Sequence, residues 1–443
     1  FSIDEPSRFS FDLWVNSNNS NNYSGNQKFI MYINDEQYKD IDYTSGWNNV
    51  CVALEPGEYT IAFRDTIYNT TECYYSRIKN MELSSDWLVA ELTTAGSLGV
   101  EVLYQVNVLN DVELLKVKGN LNSTDWTSIK NMKNIIALDL SEAKFDAVPE
   151  YAFDGLSYLS SVKLPAGVKT IGQYAFRGTQ ILNIDIPASV TSIGQYAFAS
   201  TRVRTVNFTE DSKLQTIGYC AFRECRSLKE FIMPNTVTSL DTHSGYDDNE
   251  CSTFYNCTSL EKIHFSNDLT KLEQYVCYGC SNLVDVVLPQ NLQYIRDCAF
   301  NNCTNLRHID FSETLLGIDY YAFNNCGLDS VKLPLKLSYL ERNAFRNCDN
   351  IKYIELPSYI GSYDENFYGC NVIEKVVCRS ATPPSVSTDP FRECPAKSNI
   401  TLVVPSFAVV NYKLDTYWCQ FGSILEGENL DYWKITGALS LTN

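Results

Sequence analysis

The sequence predicts a mainly β chain: an N-terminal β-sandwich, then a solenoid of about ten coils with parallel stacked strands and a cap at each end. Three observations predict it. First, an aromatic residue, usually preceded by Ala, recurs at Phe153, Phe176, Phe198, Phe222 and Phe254, passes through Cys277, and continues at Phe300, Phe323, Phe345, Phe367 and Phe391. The steps are 23, 22, 24, 32, 23, 23, 23, 22, 22 and 24 residues, the period of a repeat whose units bury their faces only against their neighbours. Second, of the 16 Cys, Cys225, Cys257, Cys280, Cys303, Cys326, Cys348, Cys370 and Cys394 each stand three residues after that position. Third, the first 85 residues alternate apolar and polar residues in short, aromatic-rich runs.

Residues 1–85 read as the sandwich. Phe9-Ser10-Phe11-Asp12-Leu13-Trp14-Val15 and Phe29-Ile30-Met31-Tyr32-Ile33 are strand patterns, and the runs at 50–54 and 59–63 flank Glu55-Pro56-Gly57-Glu58, a hairpin-turn signal. Several short strands of this spacing indicate a sandwich.

Residues 86–133 read as the N-terminal cap. Trp87, Leu88 and Leu92 offer apolar surface, 112–121 is the first coil strand, and Asn122-Ser123-Thr124-Asp125-Trp126 starts a helix leading into Ile129 and Met132. A solenoid needs such a piece, because its terminal coil otherwise shows core and strand edge to water.

Residues 134–426 carry the coils and the C-terminal cap. Each coil opens on a strand such as Leu159-Ser160-Ser161-Val162-Lys163-Leu164, and Pro165, Pro187, Pro234, Pro289, Pro334 or Pro357 stops it. Val162, Ile184, Val206, Ile263, Val286, Ile309, Val331 and Ile354 should form one buried column. A second apolar pair follows, then the Ala-Phe wedge, in which small Ala lets the turn close and Phe fills the space between coils. This is a leucine-rich-repeat-like arc. The cysteine column could be a disulfide framework, a metal chain or packed thiols. Spacing of 22 residues or more without companion His disfavours zinc. Gly178 and Ser200, taken as the same position in early coils, suit a slot for small residues, so the thiols are expected free, buried and without metal. Residues 427–443 read as a tail or the start of a further domain.

Two resemblances follow. The segments around Trp14, LEPGEYT (54–60) and RIKNMEL (77–83) resemble the jelly-roll modules of bacterial secreted proteins, which implies a sugar-binding or spacer role. Residues 86 to about 425 resemble the BspA-like leucine-rich-repeat proteins of anaerobic bacteria of mouth and gut. The motifs are LKVKGNLNSTDW (115–126), the repeated IGQYAF (171–176 and 193–198), ATPPSVSTDPF (381–391) and the ending ITLVVPSFAVVNYKLDTYWCQFGSI (400–424). In that family the ending seals the last coil with a strand at 403–405 and a short helix bearing Tyr412 and Trp418. The resemblance implies a secreted protein or lipoprotein of the cell surface, with a lipid anchor upstream of residue 1, a role in adhesion or host-protein binding, and no catalytic residue.

Composition narrows the chemistry. A net charge of −18 and pI ≈ 4.7 repel phosphate backbones, so nucleic acid is a poor partner. No apolar run approaches the ~18 residues of a transmembrane helix. The opening FSIDEPSRFSFDLWV lacks a signal-peptide pattern, which fits a mature product or an excised fragment. Neither a cofactor nor a catalytic motif is expected: no nucleophile elbow, phosphate loop, dinucleotide motif or HExxH is present. Of the 3 His, His264 and His308 are two coils apart, roughly 10 Å at the strand spacing, too far to share a metal. His243 lies in the acidic insertion 241–250, whose spacing is not that of a calcium loop.

What remains is a surface. The outward strand positions mix signs and carry one aromatic, Tyr353. A host or community surface protein is the expected partner, seated over Lys262 to Glu355, where His264, His308, Asp310, Tyr353 and Glu355 lie beside the insertion at Tyr246. The alternative is glycan capture by the sandwich, with Trp14, Trp47, Tyr43 and Tyr68 as platforms.

Overall fold

The computed structural model describes residues 87–240, 252–358 and 363–427, and the backbone of the strands within residues 2–84. Two contact-defined units are present, residues 1–144 with 156–163, and residues 145–155 with 164–443. Described helices are short, and none is long and apolar enough to cross a membrane.

In the first unit, Ser7–Val15 lies antiparallel between Gly46–Leu54 and Arg77–Ser84, and Phe29–Ile33 lies antiparallel between Glu36–Ile41 and Ile61–Asp65. Among the described strands, the two that flank Pro56 do not pair with each other. Gly46–Leu54 and Ile61–Asp65 belong to different sheets, because each finds its hydrogen-bond partner on a more distant strand.

A four-stranded sheet follows, in the order Ser161–Lys163, Ala137–Lys144, Leu114–Asn120, Leu88–Glu91, all neighbours parallel. The cap therefore begins one strand before the 112–121 segment, with Leu88 in register with Leu115. The helix Ser123–Lys130 starts where Asn122 predicts. The Asn122 side chain accepts from Thr124 N, and buried Asp125 accepts from Asn122 N at 2.8 Å, Gly96 N at 2.7 Å and Leu98 N at 2.9 Å. Three backbone donors satisfy one buried carboxylate, which fixes the helix start against the preceding turn.

In the second unit the coils stack through two sets of parallel strands. One set lines the outward face: Asn183–Ile186 with Thr205–Phe208, then Glu230–Ile232 through Asp285–Val287, then Ser330–Lys332 through Ser423–Glu426. The other is a ladder of mostly two-residue strands at the second apolar pair, such as Thr170–Ile171, Ser192–Ile193 and Thr216–Ile217. Alternation sends Ile184, Ile263 and Ile354 inward as expected; Val286 is only half-buried. Where the repeat reads Ile-Gly, the two backbones almost touch: a Cβ on Gly194 would sit 2.7 Å from Gln173 N, and one on Gly218 would sit 2.6 Å from Gln195 N.

The Ala-Phe wedge holds successive coils together. Phenyl rings stack nearly parallel, with centroids 4.9 Å apart for Phe176–Phe198, 5.2 Å for Phe198–Phe222 and 5.2 Å for Phe323–Phe345. All are fully buried, each stabilising by about 1.5–3 kcal/mol through removal from water. Phe222 and Phe254 still stack at 5.7 Å, so the long coil between them keeps the column; residues 241–251 lie outside the described residues. Cys277 interrupts the stack and stays fully buried.

Polar groups of the wedge are bonded across coils. Phe176 N donates to Ala197 O at 2.7 Å, Phe198 N to Ala221 O at 2.8 Å, and Phe300 N to Ala322 O at 2.7 Å. The cysteines complete the pattern. Cys257 Sγ donates to Phe222 O at 3.1 Å, Cys303 Sγ to Cys277 O at 3.2 Å, Cys326 Sγ to Phe300 O at 3.0 Å and Cys370 Sγ to Phe345 O at 3.2 Å. All eight thiols of the column are free. Seven are buried and Cys394, at the end, is partly exposed. In the early coils the slot holds Thr179 and Thr201, both buried, and not Gly178 and Ser200. Those two stand one residue earlier, at φ +71° and +57°. The Thr179 hydroxyl donates to Phe176 O of its own coil at 2.8 Å, whereas the longer thiol reaches the coil before.

Replacing Cys303 by Ala removes a hydrogen bond and leaves a small cavity, so chemical denaturation should show a loss of about 1–2 kcal/mol. Burial raises the pKa of Cys257, Cys277, Cys303 and Cys370 well above the ordinary thiol value. The folded state thus keeps protons that the unfolded chain releases. Stability should be level below about pH 8.5, then fall by ~1.4 kcal/mol per pH unit for each such thiol as pH rises. Urea titrations from pH 7 to 10 measure this slope.

Candidate functional site

The outward face of the second unit is where the chain offers chemistry. Ser330, Tyr353 and Lys375 share one register row, and Lys332, Glu355 and Val377 another. Tyr353 packs against buried Val377 and Val403, with Lys375 Nζ 5.9 Å from its ring centre. Its hydroxyl donates to Glu355 Oε2 at 3.1 Å, and Arg379 pairs with the other Glu355 oxygen. Burial first, and the Glu355 charge second, push the Tyr353 phenol up to about 12.

The face ladder is interrupted twice in this unit's coil array, and a cavity opens at each break. Residues 308–311 pair with neither Asp285–Val287 nor Ser330–Lys332. Here a cavity of about 330 Å³ is lined by His308, Asp310, Glu313, Lys332, Glu355 and Arg379 among others. His308 Nε2 lies 2.9 Å from Asp310 Oδ1. The second break separates Thr205–Phe208 from Glu230–Ile232, and a cavity of about 530 Å³ there includes Phe208, Glu210, Glu230, Ile232 and Met233 in its wall.

The expected cluster is therefore brought together in part. His308, Asp310 and Glu355 share the first cavity, and Tyr353 reaches it through its bond to Glu355. His264 does not line it; its ring lies 3.9 Å from Asp285. Tyr246 and His243 lie outside the described residues, as do Tyr43, Tyr68 and the side chains of Trp14 and Trp47. Sequence reasoning missed Arg379 and Glu313. The signal was present: where six coils end the strand in an apolar residue followed by Pro165, Pro187, Pro234, Pro289, Pro334 or Pro357, the coils at the cavities read Phe208-Thr209-Glu210 and Phe311-Ser312-Glu313. Phe265-Ser266-Asn267 stands at the same place and keeps its ladder, Phe265 N donating to Val287 O at 3.1 Å. The aromatic alone does not open the face.

Among the described residues no group of three His, Cys, Asp or Glu side chains is placed to hold a metal ion. The site offers fixed charges of both signs. Glu355 immobilises the Arg379 guanidinium, and Lys332 has no ion-pair partner among the described residues.

The family pattern described as the BspA-type leucine rich repeat region matches this chain in six copies, over residues 126–250, 250–334 and 270–398. Among solved structures, the chain is similar to a leucine-rich repeat protein from Bacteroides ovatus at 24% identity, over 59% of this chain and 67% of that one, with a TM-score of 0.45. It is also similar to a leucine-rich repeat protein of T. pallidum at 21% identity, over 47% of this chain and 72% of that one, TM-score 0.30. The pneumococcal vaccine antigen PcpA aligns at 16% identity, over 71% of this chain and 79% of that one, TM-score 0.35. No curated protein sequence matches.

Because Lys332 is exposed and unpaired, Lys332→Ala should change unfolding free energy by less than ~0.5 kcal/mol. Arg379→Ala, which leaves Glu355 without its cation, should cost about 1 kcal/mol. Thermal melts followed by circular dichroism check both values.

Proposed function

From the chain's membership of the BspA-type leucine-rich-repeat family, we propose that it is a cell-surface or secreted binding protein that seats a protein partner on the outward strand face. The observation that carries this reading is the cavity between His308 and Arg379, at one of the two breaks in the face ladder. Partners of repeat proteins seat against such irregularities, and Tyr and Arg are enriched at interface centres. The face suits a protein better than a stacked sugar. Its aromatic, Tyr353, has its ring against Val377 and Val403, which leaves little open platform. A scaffold of this kind requires no catalytic group.

An oxidising, extracellular location agrees with the cysteine chemistry. Cys220 is disulfide-bonded, and disulfides persist outside the cytosol. Seven of the eight column thiols are buried, which keeps them out of reach of oxidants in solution.

The test is a panel of host extracellular and matrix proteins, measured by surface plasmon resonance against the whole chain and against the variants Tyr353→Ala and Arg379→Glu. At least one partner should bind, and each variant should weaken it tenfold or more. A partner bound equally by both variants would remove the strand face from the account. Binding confined to a glycan array would replace this reading by glycan capture.

A further inference from the structure

The two cavities repeat one design. Each holds a Phe-Ser/Thr-Glu segment in its wall, and each is lined by the next coil's Pro, Pro234 or Pro334. They differ in wall chemistry. The first sets Lys332 and the Arg379 guanidinium beside the carboxylates of Glu355, Asp310 and Glu313, with Glu355 already paired to Arg379 and Lys332 without an ion-pair partner among the described residues. The second has Ile232, 50% exposed despite its size, beside half-buried Phe208, with Glu210 and Glu230 also in its wall. Between them the strands step from Thr205 through Glu230, Lys262 and Asp285 to the unpaired segment at His308. Four coil steps at ~4.8 Å place the cavities about 20 Å apart, and an extended peptide covers that distance in about six residues at ~3.3 Å each.

We propose that the strand face reads an extended peptide segment of its partner. One carboxylate side chain enters the cavity at Lys332 and Arg379, and a large apolar side chain, about six residues away, enters the cavity at Ile232. Arg379 is held by Glu355 on one edge and presents its remaining N–H groups, which suits the two oxygens of a carboxylate. Glu313 and Asp310 in the same lining repel a second acid, so a single carboxylate fits better than an acidic run. Fixed spacing between the two seats supplies selectivity that neither cavity has alone. The inference rests on the protein-binding reading and adds the chemistry of the bound segment.

A phage-displayed library of random 12-residue peptides, selected on the whole chain, tests it. The enriched sequences should share an Asp or Glu and a Leu, Ile, Met or Phe five to seven positions apart. Synthetic copies should bind the whole chain, and bind at least tenfold more weakly to Lys332→Glu and to Ile232→Asp, two exposed sites whose variants should melt within a few degrees of the wild type. Moving the two residues to three positions apart should weaken binding equally. Absence of an enriched pattern, indifference to spacing, or unchanged affinity for both variants would overturn the proposal. A panel protein whose binding ignores these variants would overturn it while leaving the protein-binding reading in place. A selected peptide of the stated pattern with no partner on the panel would do the reverse.

Discussion

The peptide group of the recurring aromatic residue is the constraint on which the coil array depends. Each coil must turn at the wedge, and turning there buries backbone polar groups that no regular strand can pair. The chain solves this between neighbours. The N–H of Phe300 goes to the Ala322 carbonyl of the next coil, and its carbonyl accepts both Cys303 N of its own coil and Cys326 Sγ of the next. Two lone pairs and one donor are satisfied. The ring can then stack on its neighbours with no polar atom left bare.

The geometry has a cost that the sequence manages. Residues two before and two after the aromatic take left-handed backbone angles, as at Tyr196 (φ +53°) and Ser200 (φ +57°), or Cys298 (φ +55°) and Asn302 (φ +64°). A left-handed residue with a side chain costs about 1–2 kcal/mol. Asn, as at Asn302, Asn325 and Asn347, lowers that cost, and Gly, as at Gly178, removes it. Tyr at the first of these positions recovers some of it on the surface: Tyr151, Tyr174 and Tyr196 stack at 4.9 and 5.0 Å. Those rings cover one another's faces, so they belong to the scaffold rather than to a ligand platform.

Much of this was legible because a 22- to 24-residue period forces equivalent residues into equivalent surroundings. The Phe column, the inward strand positions and the Asn122 cap could be read directly. Features set by distant pairing could not. The segment around Pro56 carries good turn chemistry, yet its flanking strands pair elsewhere. Trp418 lies in a separate 3-10 turn, Trp418–Gln420, after the helix Val409–Leu414 that bears Tyr412, and a further strand, Ser423–Glu426, extends the sheet. The thiol slot falls one residue beyond Gly178 and Ser200, at Thr179 and Thr201, because the position needs a side-chain donor for a wedge carbonyl, which Thr179 supplies to Phe176 O, more than it needs a small residue. The site was half-legible. Outward positions named His308, Asp310 and Glu355, but Arg379 lies past the strand end, and the interrupted ladder that opens the cavity has no local sequence pattern beyond Phe-Ser/Thr-Glu.

The wedge is either a bonded core or a set of ordinary surface turns. Hydrogen exchange of the amides of Phe176, Phe198, Phe300 and Phe323 decides this, since all four sit in turns outside helix or strand. If their N–H groups are held by the next coil, they should exchange only through global unfolding, as slowly as the most protected strand amides. Exchange at the rate of exposed turns would show that the stacked rings alone hold the coils, and that the cross-coil hydrogen bonds are not what the array depends on.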